Sequence, residues 1–190
     1  PQEIRTDPKP VIKSNLAYDG AKGYLVWESD EDGDISTLVD RELRMLTFTT
    51  GSGWGAESRL TNNNYIDASP QVLFDNGIPT LFWLKDTDVA MARNLDIAGA
   101  TTAAKDMQSG AGMAFKAMSR PNGILLFWAD GSAEGTDIWA ARWNRANNKW
   151  GQPQQTTADG LVERDISGAV LDANRFVLLY DRVTVSYTQD

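Results

Sequence analysis

A chain that repeats one short apolar hairpin four times has few ways to bury it, and this chain does so. Each copy is a strand, a turn carrying Gly or Asn, and a second strand ending on an aromatic residue. The four copies run from 18 to Trp27, 74 to Trp83, 119 to Trp128 and 171 to Tyr180. Their terminal aromatics stand 56, 45 and 52 residues apart, room for one four-stranded sheet per copy. Leu81-Phe82-Trp83 and Leu125-Leu126-Phe127-Trp128 are apolar without alternation. Such runs belong to strands covered on both faces.

A third strand follows each hairpin. Asp88-Val89-Ala90-Met91-Ala92-Arg93 matches Asp137-Ile138-Trp139-Ala140-Ala141-Arg142, and Leu43–Thr49 is a longer equivalent. A turn and an outer strand come next: Trp54-Gly55 with Thr61 recurs as Trp150-Gly151 with Thr157 at identical spacing. Residues 38–46 and 98–107 each have room for one helical turn, without a strong cap.

The fold expected is all-β, a β-propeller of four blades of four antiparallel strands closed by the N-terminal strand. As one domain over 1–190, blade 1 covers about 8–62, blade 2 about 63–108, blade 3 about 109–158 and blade 4 about 159–190 plus 1–7. The closing strand is read at Gln2–Thr6, because Thr6 precedes Trp27 by 21 residues, close to the 22 from Thr61 to Trp83 and 23 from Thr157 to Tyr180. An open stack of blades exposes an apolar face at each end, and a shared first-and-last blade covers both.

Composition removes whole classes of chemistry. The sequence has no Cys and no His. Disulfides, thiol nucleophiles, imidazole ligands and the Ser-His-Asp triad are therefore excluded. Carboxylates, Tyr, Lys and an oxygen-ligated metal are left. The formal net charge of −8 argues against nucleic acid and anionic membrane surfaces as partners. No apolar run approaches the roughly 20 residues needed to span a bilayer, so membrane insertion is not expected. The chain opens at Pro1, without initiator Met or signal peptide, and is expected to be a processed or excised product.

The apolar strand ending in Trp, the Asp-Ile-Trp-x-Ala-Arg run at 137–142 and the Trp-Gly…Thr element resemble bacterial extracellular β-propeller proteins of the sialidase-like, Asp-box type. Ser29-Asp30-Glu31-Asp32-Gly33 is similar to an Asp-box, with Glu31 where the box has Asp. In size, and at Tyr65-Ile66-Asp67-Ala68, the chain is also similar to four-bladed hemopexin-like rings. The resemblance implies an extracellular or cell-surface setting.

Three groups of residues are candidates for function. In the acidic loop 28–34, Glu28, Asp30, Asp32 and Asp34 are candidate calcium ligands, because hard cations take oxygen ligands from such loops; the other reading is a solvated hairpin turn. Trp139 and Trp143, four apart on a strand, share one face and are a candidate sugar platform. Arg93 and Arg142 occupy matching positions and are candidates for holding a carboxylate, against ion pairs with Asp88 and Asp137. The recurring aromatics Trp27, Trp83, Trp128 and Tyr180 read as packing between blades, and Asp19, Asp75 and Asp172 as turn residues.

The function expected from this reading is a non-enzymatic module that binds carbohydrate or protein at the ring mouth. Two alternatives stand beside it: a sialidase-like glycoside hydrolase working through carboxylates, and a scaffold propeller fragment without ligand.

Overall fold

The computed structural model describes residues 9–105, 107, 114–132 and 135–184. Among them every regular element is a β-strand, sixteen in all. The first sheet holds β1 (Val11–Tyr18), β2 (Lys22–Asp30), β3 (Arg41–Thr49), β4 (Gly53–Trp54) and β5 (Ser58–Arg59). The second runs in order through β6 (Asp67–Asp75), β7 (Ile78–Lys85), β8 (Asp88–Arg93) and β9 (Thr101–Ala104). The third joins β10 (Phe115–Arg120), β11 (Gly123–Ser132), β12 (Gly135–Asn144), β13 (Lys149–Trp150), β14 (Gln154–Gln155), β15 (Val162–Val170) and β16 (Phe176–Val183).

Along each sheet the strands follow chain order, with β5, β13 and β14 set off the main path, and β12 meets β15 through one parallel bridge, Thr136 to Val162. No sheet closes on itself among the described residues. The expected closing strand Gln2–Thr6 lies outside them, as does most of its expected partner, Val183–Tyr187. Residues 38–46 and 98–107, which have room for one helical turn each, carry parts of β3 and β9 instead. Nine registered pairs with β2 hold β3 extended, and this pairing overrides a weak local helix preference.

The identical spacing of Trp-Gly and Thr has a physical cause. In β3 and β12 the outer edge is covered by two two-residue strands, not one continuous one. Gly55 N–H donates to the Thr47 carbonyl at 2.8 Å, and Gly151 N–H to the Arg142 carbonyl at 2.8 Å. After the break, the hydroxyl of Thr61 accepts the Leu43 N–H at 2.8 Å, and that of Thr157 accepts the Ile138 N–H at 2.8 Å. Each Thr side chain thus replaces a ladder bond that the interrupted backbone cannot make. The Trp of each motif packs edge-on against an inner aromatic: Trp54 on Phe48 at 5.3 Å and Trp150 on Trp143 at 5.5 Å.

Two compact units divide the chain, one of Pro1–Asp86 with Ala90–Thr101, the other of Thr87–Val89 with Thr102–Asp190. In the first, β6 lies across β1, β2 and β3. Val26, Leu43, Val72, Leu81, Trp83, Ala90 and Ala92 form its buried core. In the second, β15 packs on β10 and β11, around Met118, Phe127, Ala129, Ile138 and Ile166. The recurring aromatics Trp27, Trp83 and Trp128 are buried, and Tyr180 is half-buried against the second core. Asp19 and Asp172 are turn residues: each carboxylate accepts two backbone N–H groups of its own turn.

Candidate functional site

The acidic loop does not gather the four carboxylates its sequence suggested. Glu28 is buried and spent on structure. Its Oε1 takes an Arg41 guanidinium N–H at 2.9 Å, and its Oε2 takes the Ser69 N–H at 2.9 Å, pinning the β6 bulge, where Ser69 has φ +52°. Asp34 turns away to accept the N–H of Ser36 at 3.1 Å and its hydroxyl at 2.6 Å, bonds that lower its pKa. Glu31 forms a two-pronged pair with Arg44, both arms 2.8 Å, with Lys9 adding to it. Arg44 above all holds its carboxyl down at about 2. Asp30 and Asp32 remain, and Asp40, far along the sequence of the loop, joins them: one oxygen from each lies within 4.8 Å of the others.

Buried acids also meet where one blade hands over to the next, in matching form in both units. In the first, Asp67 Oδ1 takes the Trp83 indole N–H at 2.6 Å and Oδ2 the Asn63 amide at 2.8 Å, while Asn63 N–H donates to Glu42 at 2.8 Å. Burial raises the Asp67 pKa, and the Glu42 charge adds to this, against the pull of its hydrogen-bond donors. In the second, Glu163 stands six residues after Thr157, as Asp67 stands six after Thr61. Each is followed by a bulge with positive φ, Ser69 in one and Asp165 (+53°) in the other. Burial, then the Asp137 carboxylate, push the Glu163 pKa up. Arg182 Nε is 3.5 Å from its Oε1.

The two brackets differ in what lies beside them. Next to the second is a groove of about 400 Å³ lined by Thr102–Lys105, Trp128, Asp130, Trp139 and Pro153. Its floor follows from register. Trp128 is paired directly with Trp139 across β11 and β12, and Asp130 with Asp137. Residues two apart on a strand share a face, so two indoles and two carboxylates form one patch. Gln155, opposite Trp139, donates to Asp137 Oδ2 at 2.7 Å. Directly opposed side chains have Cβ atoms about 5 Å apart. Carboxyls held about 5 Å apart can flank a glycosidic bond, one protonating the leaving oxygen while the other attacks the anomeric carbon.

The structure separates the remaining candidates. Trp139 lines the groove, but Trp143 is buried against Trp150, so the two do not form one exposed platform. Arg93 pairs with the buried Asp75 at 3.3 Å. Arg142 is exposed, beside Pro121 and Asn144 in a shallow recess away from the groove. Asp130, Asp40 and Glu163 were missed from the sequence. Alternation offered a signal for Asp130: it stands two after Trp128 as Asp137 stands two before Trp139, and the β11–β12 register brings the four together.

No family model matches the sequence, and no curated protein matches it. Solved structures do match in fold. The catalytic domain of a GH62 α-L-arabinofuranosidase from Coprinopsis cinerea aligns at TM-score 0.54 and 13% identity, over 93% of this chain and 66% of that one. The α-L-arabinofuranosidase PaAbf62A from Podospora anserina, solved with cellotriose, aligns at 0.51 and 11%, over 90% and 63%. A thermostable family-43 glycoside hydrolase aligns at 0.53 and 9%, over 92% and 64%. The chain spans just under two thirds of the length of each. These neighbours are β-propeller enzymes, and the propeller class expected from the repeat agrees with them. They also correct the expectation of a non-enzymatic binding module, because each of these three neighbours is a glycoside hydrolase.

Proposed function

We propose that this chain is the sugar-binding and carboxylate-bearing part of a propeller glycoside hydrolase, with its site in the groove of the second unit. The observation that carries this reading is the shared face of β11 and β12, on which Trp128 and Trp139 adjoin Asp130 and Asp137. Apolar clefts with a few convergent polar groups are where small ligands bind, and an indole offers a flat apolar face to a sugar ring. Asp130, within the groove, and Asp137, held by Gln155, flank the scissile bond. Glu163 sits behind Asp137, keeps its proton to higher pH than an ordinary glutamate, and acts through Asp137 as a positioning residue. The substrate class is a neutral oligosaccharide of the pentose or glucose type, which the arabinofuranosidase neighbours support.

The test uses 4-nitrophenyl α-L-arabinofuranoside and a panel of other chromogenic glycosides, with cellotriose binding followed by tryptophan fluorescence. Hydrolysis of at least one glycoside is expected, and Asp130→Asn should lower kcat about 10³-fold with its melting temperature unchanged. Trp139→Ala should weaken cellotriose binding at least tenfold. A chain that neither cleaves nor binds any of these, or an Asp130→Asn variant of full activity, refutes the assignment.

We further propose that the propeller has four blades and that residues 2–6 supply the outer strand of the last. The spacing of Thr6 from Trp27 supports this, as does the apolar edge that would otherwise meet water. Deleting residues 1–7 should lower the melting temperature by about 5–10 °C. An unchanged melting temperature would count against the closure.

A further inference from the structure

The geometry points to a calcium site formed by Asp30, Asp32 and Asp40 at the β2–β3 turn, independent of the hydrolase reading. Three carboxylate oxygens within 4.8 Å of one another match a sphere of ligands about 2.4 Å from a central ion, since two opposed ligands then stand about 4.8 Å apart. Three negative charges at such distances repel one another in the absence of a cation.

A second observation concerns Asp30. It is fully buried, and while its Oδ1 accepts the Gly33 N–H at 2.7 Å, its Oδ2 has no hydrogen-bond partner among the described residues. A buried carboxylate oxygen left without a partner is costly. The cation nearest by register is Arg41, directly opposite Asp30, but its guanidinium is directed to Glu28 at 2.9 Å and the Ile35 carbonyl at 3.2 Å. None of Asp30, Asp32 and Asp40 has an ion-pair partner among the described residues. A divalent ion supplies what Oδ2 lacks.

The remaining bonds of the three acids shape the loop. Asp40 Oδ2 accepts the N–H groups of Glu31 at 3.2 Å and Asp32 at 3.1 Å, and its Oδ1 accepts the Thr37 hydroxyl at 2.9 Å. Asp32 Oδ1 accepts the Asp34 N–H at 2.7 Å. The turn is thus folded around the carboxylates, each holding its place through backbone N–H groups. All-oxygen ligation by flexible loop carboxylates suits calcium better than magnesium, which demands near-ideal octahedral geometry.

The experiment titrates calcium chloride into the metal-stripped full chain by calorimetry, with thermal melts alongside. One equivalent of Ca²⁺ should bind with a Kd on the order of 10⁻⁴ M, as in extracellular modules. A hundredfold excess over Kd should raise the melting temperature by about 5–10 °C. Asp40→Asn should weaken binding at least tenfold. Because Asp40 also braces the loop, Asp32→Asn is the companion variant: Asp32 is exposed, and Asn can still accept the Asp34 N–H. It should likewise lose at least tenfold while melting as the metal-free parent does. Asp34→Asn should bind normally. No saturable binding up to 10 mM (about a hundred times the expected Kd), binding unaltered in both variants, or Mg²⁺ binding as tightly as Ca²⁺ would each overturn the assignment.

Discussion

Trp83→Ala is expected to reduce the free energy of unfolding by about 3–5 kcal/mol, the range for removing a large buried aromatic. Trp83 is 2% exposed and sits in the core of the first unit with Val26, Leu43, Val72 and Leu81. Its loss opens a cavity there and also strips Asp67 of a 2.6 Å donor. Trp83→Phe separates the two effects. The ring is largely kept, and the loss should be about 1–3 kcal/mol, the cost of a buried acceptor left unmatched.

The pH dependence of that smaller loss identifies its source. Asp67 binds its proton more tightly folded than unfolded. Its contribution to stability is therefore greatest in acid and declines as pH rises from the unfolded pKa through the higher folded one. Removing the indole N–H, which favours the carboxylate form, raises the folded pKa further. The Trp83→Phe deficit should thus be larger at pH 7 than at pH 4. Chemical denaturation of wild type and variant at both values measures it. An equal deficit would mean that the indole packs but does not solvate Asp67.

Gly123→Ala is expected to be the most damaging single-methyl addition in the second unit, at about 3 kcal/mol or more from strain and overpacking together. Gly123 has φ +143°, and a Cβ there would stand 1.9 Å from the Trp143 carbonyl oxygen. That oxygen belongs to the β12 backbone and cannot swing aside as a flexible side chain would. Gly77→Ala is the control: φ is +78° but nothing lies within 4 Å of the added carbon, so only the left-handed penalty of about 1 kcal/mol applies. Melting temperatures of the two variants should differ in that order. Similar values would show that β11 and β12 can part at this point without cost.

The architecture was legible because it repeats. Runs such as Leu81-Phe82-Trp83 and the twice-used Trp-Gly…Thr element report burial and edge bonding directly. Segments 38–46 and 98–107 stayed ambiguous in sequence because local preference there is weak and the partner strand decides. The acidic loop was half legible. Counting outward from Gly33 found Asp30 and Asp32, but Glu28 faces the β6 bulge and Asp40 returns to the cluster only because the loop folds back. The groove acids were harder still. Asp130 is an ordinary carboxylate in sequence, and it acquires meaning through the β11–β12 register, which a tripeptide cannot reveal. Trp143 was assigned the right face and the wrong neighbour: period two cannot say that Trp150 already covers it.

The halved outer edges carry a consequence for how these molecules meet one another. β4, β5, β13 and β14 are each two residues long, and between them Gly55, Gly151 and Pro153 deny a visiting strand any long run of matching amide groups. A second molecule arriving side-on cannot extend these rims by strand addition. Crowded solutions should therefore resist fibrous growth along them, although the interiors are rich in the aromatic and branched residues that stack well once exposed.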